Sequence, residues 1–374
     1  MSVIESIHAD HGATFGDRGG RTVVEHYGRP ERAHRAVRNG VGLLEAAYGV
    51  VVVEGEDRLE YVDNVVSNRV PAEDGRGCEA LVLDPQGRVE VELTVYNAGE
   101  RLLLFTQPGA AGDLADDWSE KVFIQDVEIT DATDEYAVFR LCGPQATEKV
   151  ASVLNGAATP EQPHTFVRGT MGDTGVTVIR TDGHPGEETY EVVCSAADAE
   201  AVHDVLLTQG MNAAPVGYRT WEALCLEAGT PLFDAELEGQ IPNVLGLRGA
   251  VDFEKGCFVG QEVVSRVENV GQPSRRLVGL TLEGAADAPD DEPVVPDAGA
   301  TVFDGDATVG EVTRAVESPM LEAVIALALV EYDCETESLS VRVDGEEIPA
   351  RQTSLPFLEG SARSGRLPQY DAAE

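Results

Sequence analysis

Lysine is almost missing from this chain. Only Lys121, Lys149 and Lys255 occur in 374 residues, against 24 arginines. Positive charge of any kind is scarce: 27 Lys+Arg face 67 Asp+Glu, a net charge of −40. Such a chain repels nucleic-acid phosphate and anionic lipid, so neither is expected as a partner. Long apolar runs are also lacking. The longest, Ala323 to Val330, is too short to cross a bilayer. The opening MSVIESIHADHGA has neither the basic start nor the apolar stretch of a secretion signal. A cytoplasmic location is therefore expected. The six cysteines (78, 142, 194, 225, 257 and 334) include no C-x-x-C pair. That argues against a zinc ribbon or a self-contained iron–sulfur ligand set, and no metal site is expected. A disulfide framework does not suit so large a chain without a secretion signal, so five of the six are expected as small buried hydrophobes. No dinucleotide fingerprint and no G-x-x-x-x-G-K loop occurs.

What is present is acid and strand-forming hydrophobes. Hydrophobic residues make up 43% of the chain, enough to fold despite the charge. The simplest account of the acidity is a halophilic protein, working in concentrated salt that screens its self-repulsion. Short runs such as Gly49–Glu54, Ala80–Asp84, Arg88–Tyr96, Arg101–Thr106, Val122–Thr130 and Ala137–Leu141 read as strands. Residues 56–66, 111–120, 145–155, 197–209 and 217–228 read as helices. The mixture is α+β, with no alternating βαβ order. After Gly271 the pattern changes to short strands between Gly, Asp and Pro, as in a small barrel or sandwich. Residues 356–374 read as a disordered tail. His8, His11, His26 and His34 show no metal-binding spacing and are expected as solvated residues.

The richest chemistry lies in Lys255-Gly256-Cys257-Phe258-Val259-Gly260-Gln261-Glu262. It sets a thiol beside an ammonium, between two glycines. A neighbouring cation favours the thiolate, which makes Cys257 a candidate nucleophile, redox group or transient metal ligand. One thiolate cannot hold an iron–sulfur cluster, so a partner would supply the other ligands. The alternative is a glycine-bounded turn with a chance polar cluster.

This stretch, with Ile241–Leu247 before it and Arg266 after it, resembles the signature of the YgfZ/Iba57 family: lysine, glycine, cysteine, aromatic, any residue, glycine, glutamine, glutamate. Leu226-Glu227-Ala228-Gly229-Thr230-Pro231 is similar to a segment of the wider superfamily that includes the glycine-cleavage T-protein, a tetrahydrofolate-dependent aminomethyltransferase. Arg180-Thr181 with Gly186-Glu187 resembles its arginine-threonine-glycine-tyrosine-threonine-glycine-glutamate segment, with one residue inserted and the tyrosine lost. Gly87–Leu93 falls where the T-protein carries two glycines and two aspartates. Val309–Thr313 and Ser318-Pro319 resemble its terminal barrel. The likeness runs over about residues 5 to 350.

The resemblance implies interleaved α+β domains around a central channel over residues 1–270, with 50–136 inserted between 1–49 and 137–270. A β-barrel over 271–355 would follow. It implies tetrahydrofolate, or a related reduced pterin, as ligand. The YgfZ/Iba57 branch implies service to iron–sulfur client proteins. The T-protein branch implies aminomethyl transfer, and a non-catalytic scaffold is a third reading. Glu187 is then the expected pterin partner, since a carboxylate can accept paired N–H donors. Glu92 falls on the second T-protein aspartate and is the candidate acid–base group. Its alternative is an exposed strand face shared with Glu90. The T-protein's folate-holding arginine aligns with Trp221, a residue more often core than platform. Arg219 and Arg248 are the candidate substitutes. Lys255 and Cys257 are expected to act at the site, with Gly256, Gly260 and Gln261 shaping the loop against the ligand.

Overall fold

Strands form where valine, leucine and isoleucine recur in short runs closed by glycine, proline or aspartate. The computed structural model describes residues 2–283 and 293–370. Eleven strands make one long sheet. Its order is Ala214–Pro215, Gly42–Glu45, Tyr136–Cys142, Thr189–Ser195, Thr174–Arg180, Thr165–Met171, Arg76–Leu83, Val89–Asn97, Arg101–Thr106, Gly49–Glu54 and Glu128–Asp131. Its two halves meet through a single pair, Thr165 opposite Arg76. Each half packs helices on one face. Ala146–Val153 and Ala199–Thr208 cover the half that carries Phe139, Leu141 and Val192. Arg58–Val65 and Ala111–Lys121 cover the half that carries Val51, Val95 and Leu104. The opposite face is where the polar residues of several strands converge.

The C-terminal unit is a closed six-stranded barrel, in the order Arg275–Leu282, Ala323–Glu331, Ala307–Ser318, Thr301–Asp304, Ser338–Val343 and Glu346–Thr353. Ala323–Glu331 shows why it stays attached to the rest. Alternate residues of a strand face opposite ways. Val324, Ala326, Ala328 and Val330 fill the barrel. Ile325, Leu327 and Leu329 instead join Leu83, Val89, Leu245, Val251, Phe258 and Val264 of the preceding domain. An apolar run that looks uniformly buried in sequence thus serves two cores.

Several expectations need correction. Of the run 122–130 only the end, within Glu128–Asp131, is a strand; Phe123 and Ile124 are 92% and 84% exposed and pair with no strand among the described residues. The strands Thr165–Met171 and Glu346–Thr353 escape a hydrophobicity reading because Arg, Gly or Pro interrupts them. The polar start contains a hairpin, Thr14–Arg18 with Arg21–His26, and a ten-residue helix, Pro30–Asn39, opened by proline at its first turn. His8 and His34 are buried, not solvated: their Nε2 atoms lie 2.8 Å from Glu45 and 2.9 Å from Glu227. Finally, residues 356–370 are not a disordered tail. They run back over the first domain, held by Ser361 on Glu187, Ser364 on Asp182, Gln369 on Gly246 and Tyr370 on Val244. Hydrogen-bond partners far away in sequence fix this segment, and composition does not reveal them. Residues 371–374 lie outside the described residues.

Candidate functional site

Five sheet strands bring side chains to one place, four of them charged or polar ones. Glu79 comes from Arg76–Leu83, Glu92 and Thr94 from Val89–Asn97, Phe105 from Arg101–Thr106, Arg140 from Tyr136–Cys142 and Glu191 from Thr189–Ser195. The helix Tyr218–Glu227 adds Tyr218, Trp221 and Glu222. The loop after Arg180 adds His184, the barrel adds Arg314 and the C-terminal segment adds Arg366. Together they enclose a cleft of about 130 Å³ that narrows to a recess of about 20 Å³. Cleft and recess share Tyr48, Arg140, His184 and Trp221 among their walls. On its outer side the cleft shares Glu222, Asp234 and Arg314 with a wide groove of about 1070 Å³ beside the barrel.

The recess is built on an ion pair. Oε1 of Glu191 accepts from the Tyr48 hydroxyl at 2.7 Å and from Arg140 Nη2 and Nε at 2.7 and 3.1 Å. The guanidinium carbon of Arg140 lies over the Trp221 ring, 4.0 Å from its centroid. Burial disfavours a charge there, but the Glu191 carboxylate opposes it, and the guanidinium stays protonated. Burial also drives the Tyr48 hydroxyl well above its ordinary range, so it stays a neutral donor. Among the described residues nothing hydrogen-bonds Oε2 of Glu191. A 2% exposed carboxylate thus keeps one oxygen free beside an aromatic wall.

A second polar cluster forms the floor. Glu79 Oε1 is 2.8 Å from His184 Nε2, and Glu79 Oε2 accepts from Arg366 Nε at 2.9 Å. Arg366 Nη1 donates to Glu92 Oε2 at 2.8 Å. Burial alone would raise the Glu79 pKa, but Arg366 and His184 hold it well below the usual carboxylate range. Ligand atoms of Glu79, Asp182 and His184 lie within 4.8 Å of one another. Their donor chemistry would suit a divalent cation, but Arg366 already supplies the positive charge.

The expected site residues separate. Glu92 lies in the cleft, half-buried rather than on an exposed face. Trp221 is buried and is also a wall of the cleft. Glu187 is not a wall of the cleft or recess. It is buried against Arg38 Nη1 (2.7 Å) and the Ser361 amide (3.0 Å), in a network that continues through Arg38 to Glu227 and His34. Arg219 lies in the wide groove. Arg248 pairs with Glu268 at 2.6 Å beside a separate small cavity.

The Lys-Gly-Cys stretch proves to be a clamp between domains. Lys255 is buried. Its Nζ donates to the carbonyls of Val66 and Asn68 at 2.9 and 2.6 Å and faces Asp63 at 3.4 Å. Burial lowers its pKa, with Asp63 opposing. Phe258 enters the core shared with the barrel. Gly260, at φ +80°, sits where a Cβ would come 2.6 Å from the Asp84 carbonyl, so only glycine fits. Gln261 Nε2 donates to the Lys255 carbonyl, and Gly256 meets nothing within 4 Å of a Cβ position. Cys257 stands exposed on the outside of this loop and lines none of the cavities above. The ammonium therefore serves the backbone, not the thiol.

The structure adds Glu191, Arg140, Glu79, His184 and Arg366 to the site. Three of these left a readable trace: a charge inside an otherwise apolar strand run, as in CEALVL, YAVFRLC and TYEVVC, seldom survives without a partner or a task. Arg366 left none.

Residues 4–255 match the family model described as the GCVT N-terminal domain, and residues 275–359 the glycine cleavage T-protein C-terminal barrel domain. The chain is 30% identical over 362 residues to an aminomethyltransferase of Geobacillus kaustophilus, covering 94% of this chain and 96% of that protein. It is 30% identical over 375 residues to an aminomethyltransferase of Cutibacterium acnes, covering 96% and 98%. Its fold matches the crystal structure of glycine cleavage system aminomethyltransferase T from Bartonella henselae. The TM-score is 0.84 at 22% identity, over 97% of this chain and 98% of that one.

Proposed function

Since the chain belongs to the glycine cleavage T-protein family, we propose that it is a tetrahydrofolate-dependent aminomethyltransferase. It would move the methylene carbon of an S-aminomethyl carrier onto the nitrogens of reduced folate, releasing ammonia and the carrier's free thiol. The observation that carries this reading is the recess. There the free oxygen of Glu191 sits beside the Arg140–Trp221 stack, at the inner end of a cleft that also holds Glu92. A pterin edge presents N–H donors, and a buried carboxylate is their natural acceptor. Phe105 and the Arg140-capped Trp221 both line the cleft and give a flat heterocycle apolar surface to lie against. Glu191 takes the part that sequence likeness had given to Glu187.

Glu92 is the carboxylate placed to orient or take the proton of the nitrogen that receives the carbon. Its Oε2 is held by Arg366, and its other oxygen, with no hydrogen-bond partner among the described residues, is left for the ligand. Arg314, which the cleft shares with the wide groove and whose Nη1 has no hydrogen-bond partner among the described residues, would meet a carboxylate of the glutamyl tail. The rival reading, service to iron–sulfur client proteins, rested on a thiolate activated by Lys255. With that ammonium committed to Val66, Asn68 and Asp63, the rival loses its chemical support.

The test is calorimetric titration with tetrahydrofolate in molar potassium chloride, followed by methylene transfer from an aminomethyl-loaded lipoyl protein. Binding with transfer is expected. Glu92→Ala is expected to reduce turnover about 100-fold while changing folate affinity only a few-fold. A wild-type protein that binds no folate would overturn the proposal.

A further inference from the structure

The match to the family's barrel ends at residue 359, yet the chain continues into the site. Gly360 lies so close to the Gly186 carbonyl that no side chain could stand there. Ser364 Oγ and the Gly365 amide both donate to Asp182 at 2.8 Å. Tyr370 accepts from the Leu277 amide at 2.6 Å and donates to the Val244 carbonyl at 2.9 Å, tying the segment to barrel and first domain together. Between these anchors Arg366 enters the cleft wall, 5% exposed.

We propose that residues 360–370 are a strap that completes the site, and that Arg366 is its positioning residue, setting Glu92 and His184 at once. The connection is continuous: His184 Nε2 to Glu79 Oε1, Glu79 Oε2 to Arg366 Nε, Arg366 Nη1 to Glu92 Oε2. An ionised carboxylate only accepts hydrogen bonds. Glu79 therefore requires a proton on His184 Nε2, and whenever the ring is neutral that leaves Nδ1 as an acceptor. The ring borders both cleft and recess, and no described residue bonds Nδ1. His184 thus offers an acceptor to a ligand N–H in the same cleft as Glu92. The other charges near it are Asp182 at 3.3 Å, His164, and the Arg140–Glu191 pair across the recess. Lysine could not replace Arg366, because a single ammonium lacks the fork that bridges two carboxylates.

The role of His184 toward ligand rests on the aminomethyltransferase reading; the clamp itself does not. Two measurements on the full chain separate them. Nitrogen-15 NMR of histidine-labelled protein without folate, with pH raised until the ring is neutral, should show His184 as the Nε2–H tautomer. Arg366→Ala and Glu79→Gln should each turn it into a tautomer mixture. In the transfer assay, Arg366→Ala should lower kcat about 10- to 100-fold, with a smaller change in KM. Millimolar guanidinium ion should restore part of the loss, and Arg366→Lys should stay impaired. If wild-type protein transfers nothing, the functional reading fails and the tautomer still judges the clamp. If Arg366→Ala does not fold, Glu79→Gln carries the same tautomer test. A wild-type tautomer in the variants, or unchanged kcat in Arg366→Ala, overturns the proposal.

Discussion

Glu191 and Glu187 make a decisive pair because they are four residues apart, both 2% exposed, and both paired to a buried arginine. Only Glu191 borders the recess. Glu191→Gln replaces an acceptor-only carboxylate with an amide whose NH₂ would meet the N–H donors of a pterin. Hydrogen bonds to a charged group contribute about 1.5–3 kcal/mol each, so losing the charge should cost roughly 3 kcal/mol of binding, a factor of about 100 in Kd. It also leaves Arg140 without its carboxylate, which should lower stability by about 3 kcal/mol. Glu187→Gln should lower stability by a similar amount, because Arg38 and Ser361 lose the same kind of partner. Its folate affinity should stay within about two-fold of wild type, since it touches no wall of the cleft. Comparing the two variants cancels the stability effect and leaves the ligand contact. The assay is calorimetric folate titration well below the melting temperature, with urea unfolding alongside. If Glu187→Gln loses affinity while Glu191→Gln keeps it, the placement of the pterin in the recess is wrong.

Three further outcomes are expected. Cys257 should react with a thiol reagent in the native protein, whereas Cys142 and Cys225, whose thiols burial pushes upward, should react only after unfolding; Cys257→Ser should leave transfer unchanged. Lys255→Met should destabilise the fold by about 2–4 kcal/mol in urea unfolding, because the Val66 and Asn68 carbonyls lose their donor; an unchanged midpoint would remove the clamp from the account. His203 is buried edge-on to His8, 5.3 Å between ring centroids, and burial, reinforced by His8, lowers its pKa to about 4. The unfolded chain takes up that proton near pH 6.5 and the folded chain does not until about pH 4, so stability should fall across this window by up to about 3 kcal/mol. Urea midpoints of wild type and His203→Leu at pH 7 and pH 4.5 check this, the variant losing less on acidification.

The architecture was legible in the sequence wherever one face of one element decided the outcome. The hairpin around Pro85-Gln86-Gly87, the helix from Tyr218 to Glu227 and most barrel strands follow from local periodicity and turn residues. The glycine–glutamate segment near 186 pointed to the loop that enters the site, but of the two buried acids there Glu191, not Glu187, borders the recess. Glu191 lies in the strand opposite Arg140, whereas Glu187 lies in the loop before it and turns to Arg38 and Ser361. Lys255 and Cys257 illustrate the same limit from the other side. Adjacency along the chain suggested a shared chemistry, while the fold sent the ammonium inward to Val66 and Asn68 and left the sulfur outside.

By itself the chain determined its acidity, its α+β and barrel organisation and its kinship, because each of these is a property of composition or of near neighbours. Tertiary structure alone decided that Glu79, Glu92, Arg140, Glu191 and Arg366 meet in one cleft, and that a polar C-terminal stretch is anchored rather than loose. Buried charges select partners by distance in space, and a partner 287 residues away, as Arg366 is from Glu79, leaves no periodic mark in the sequence.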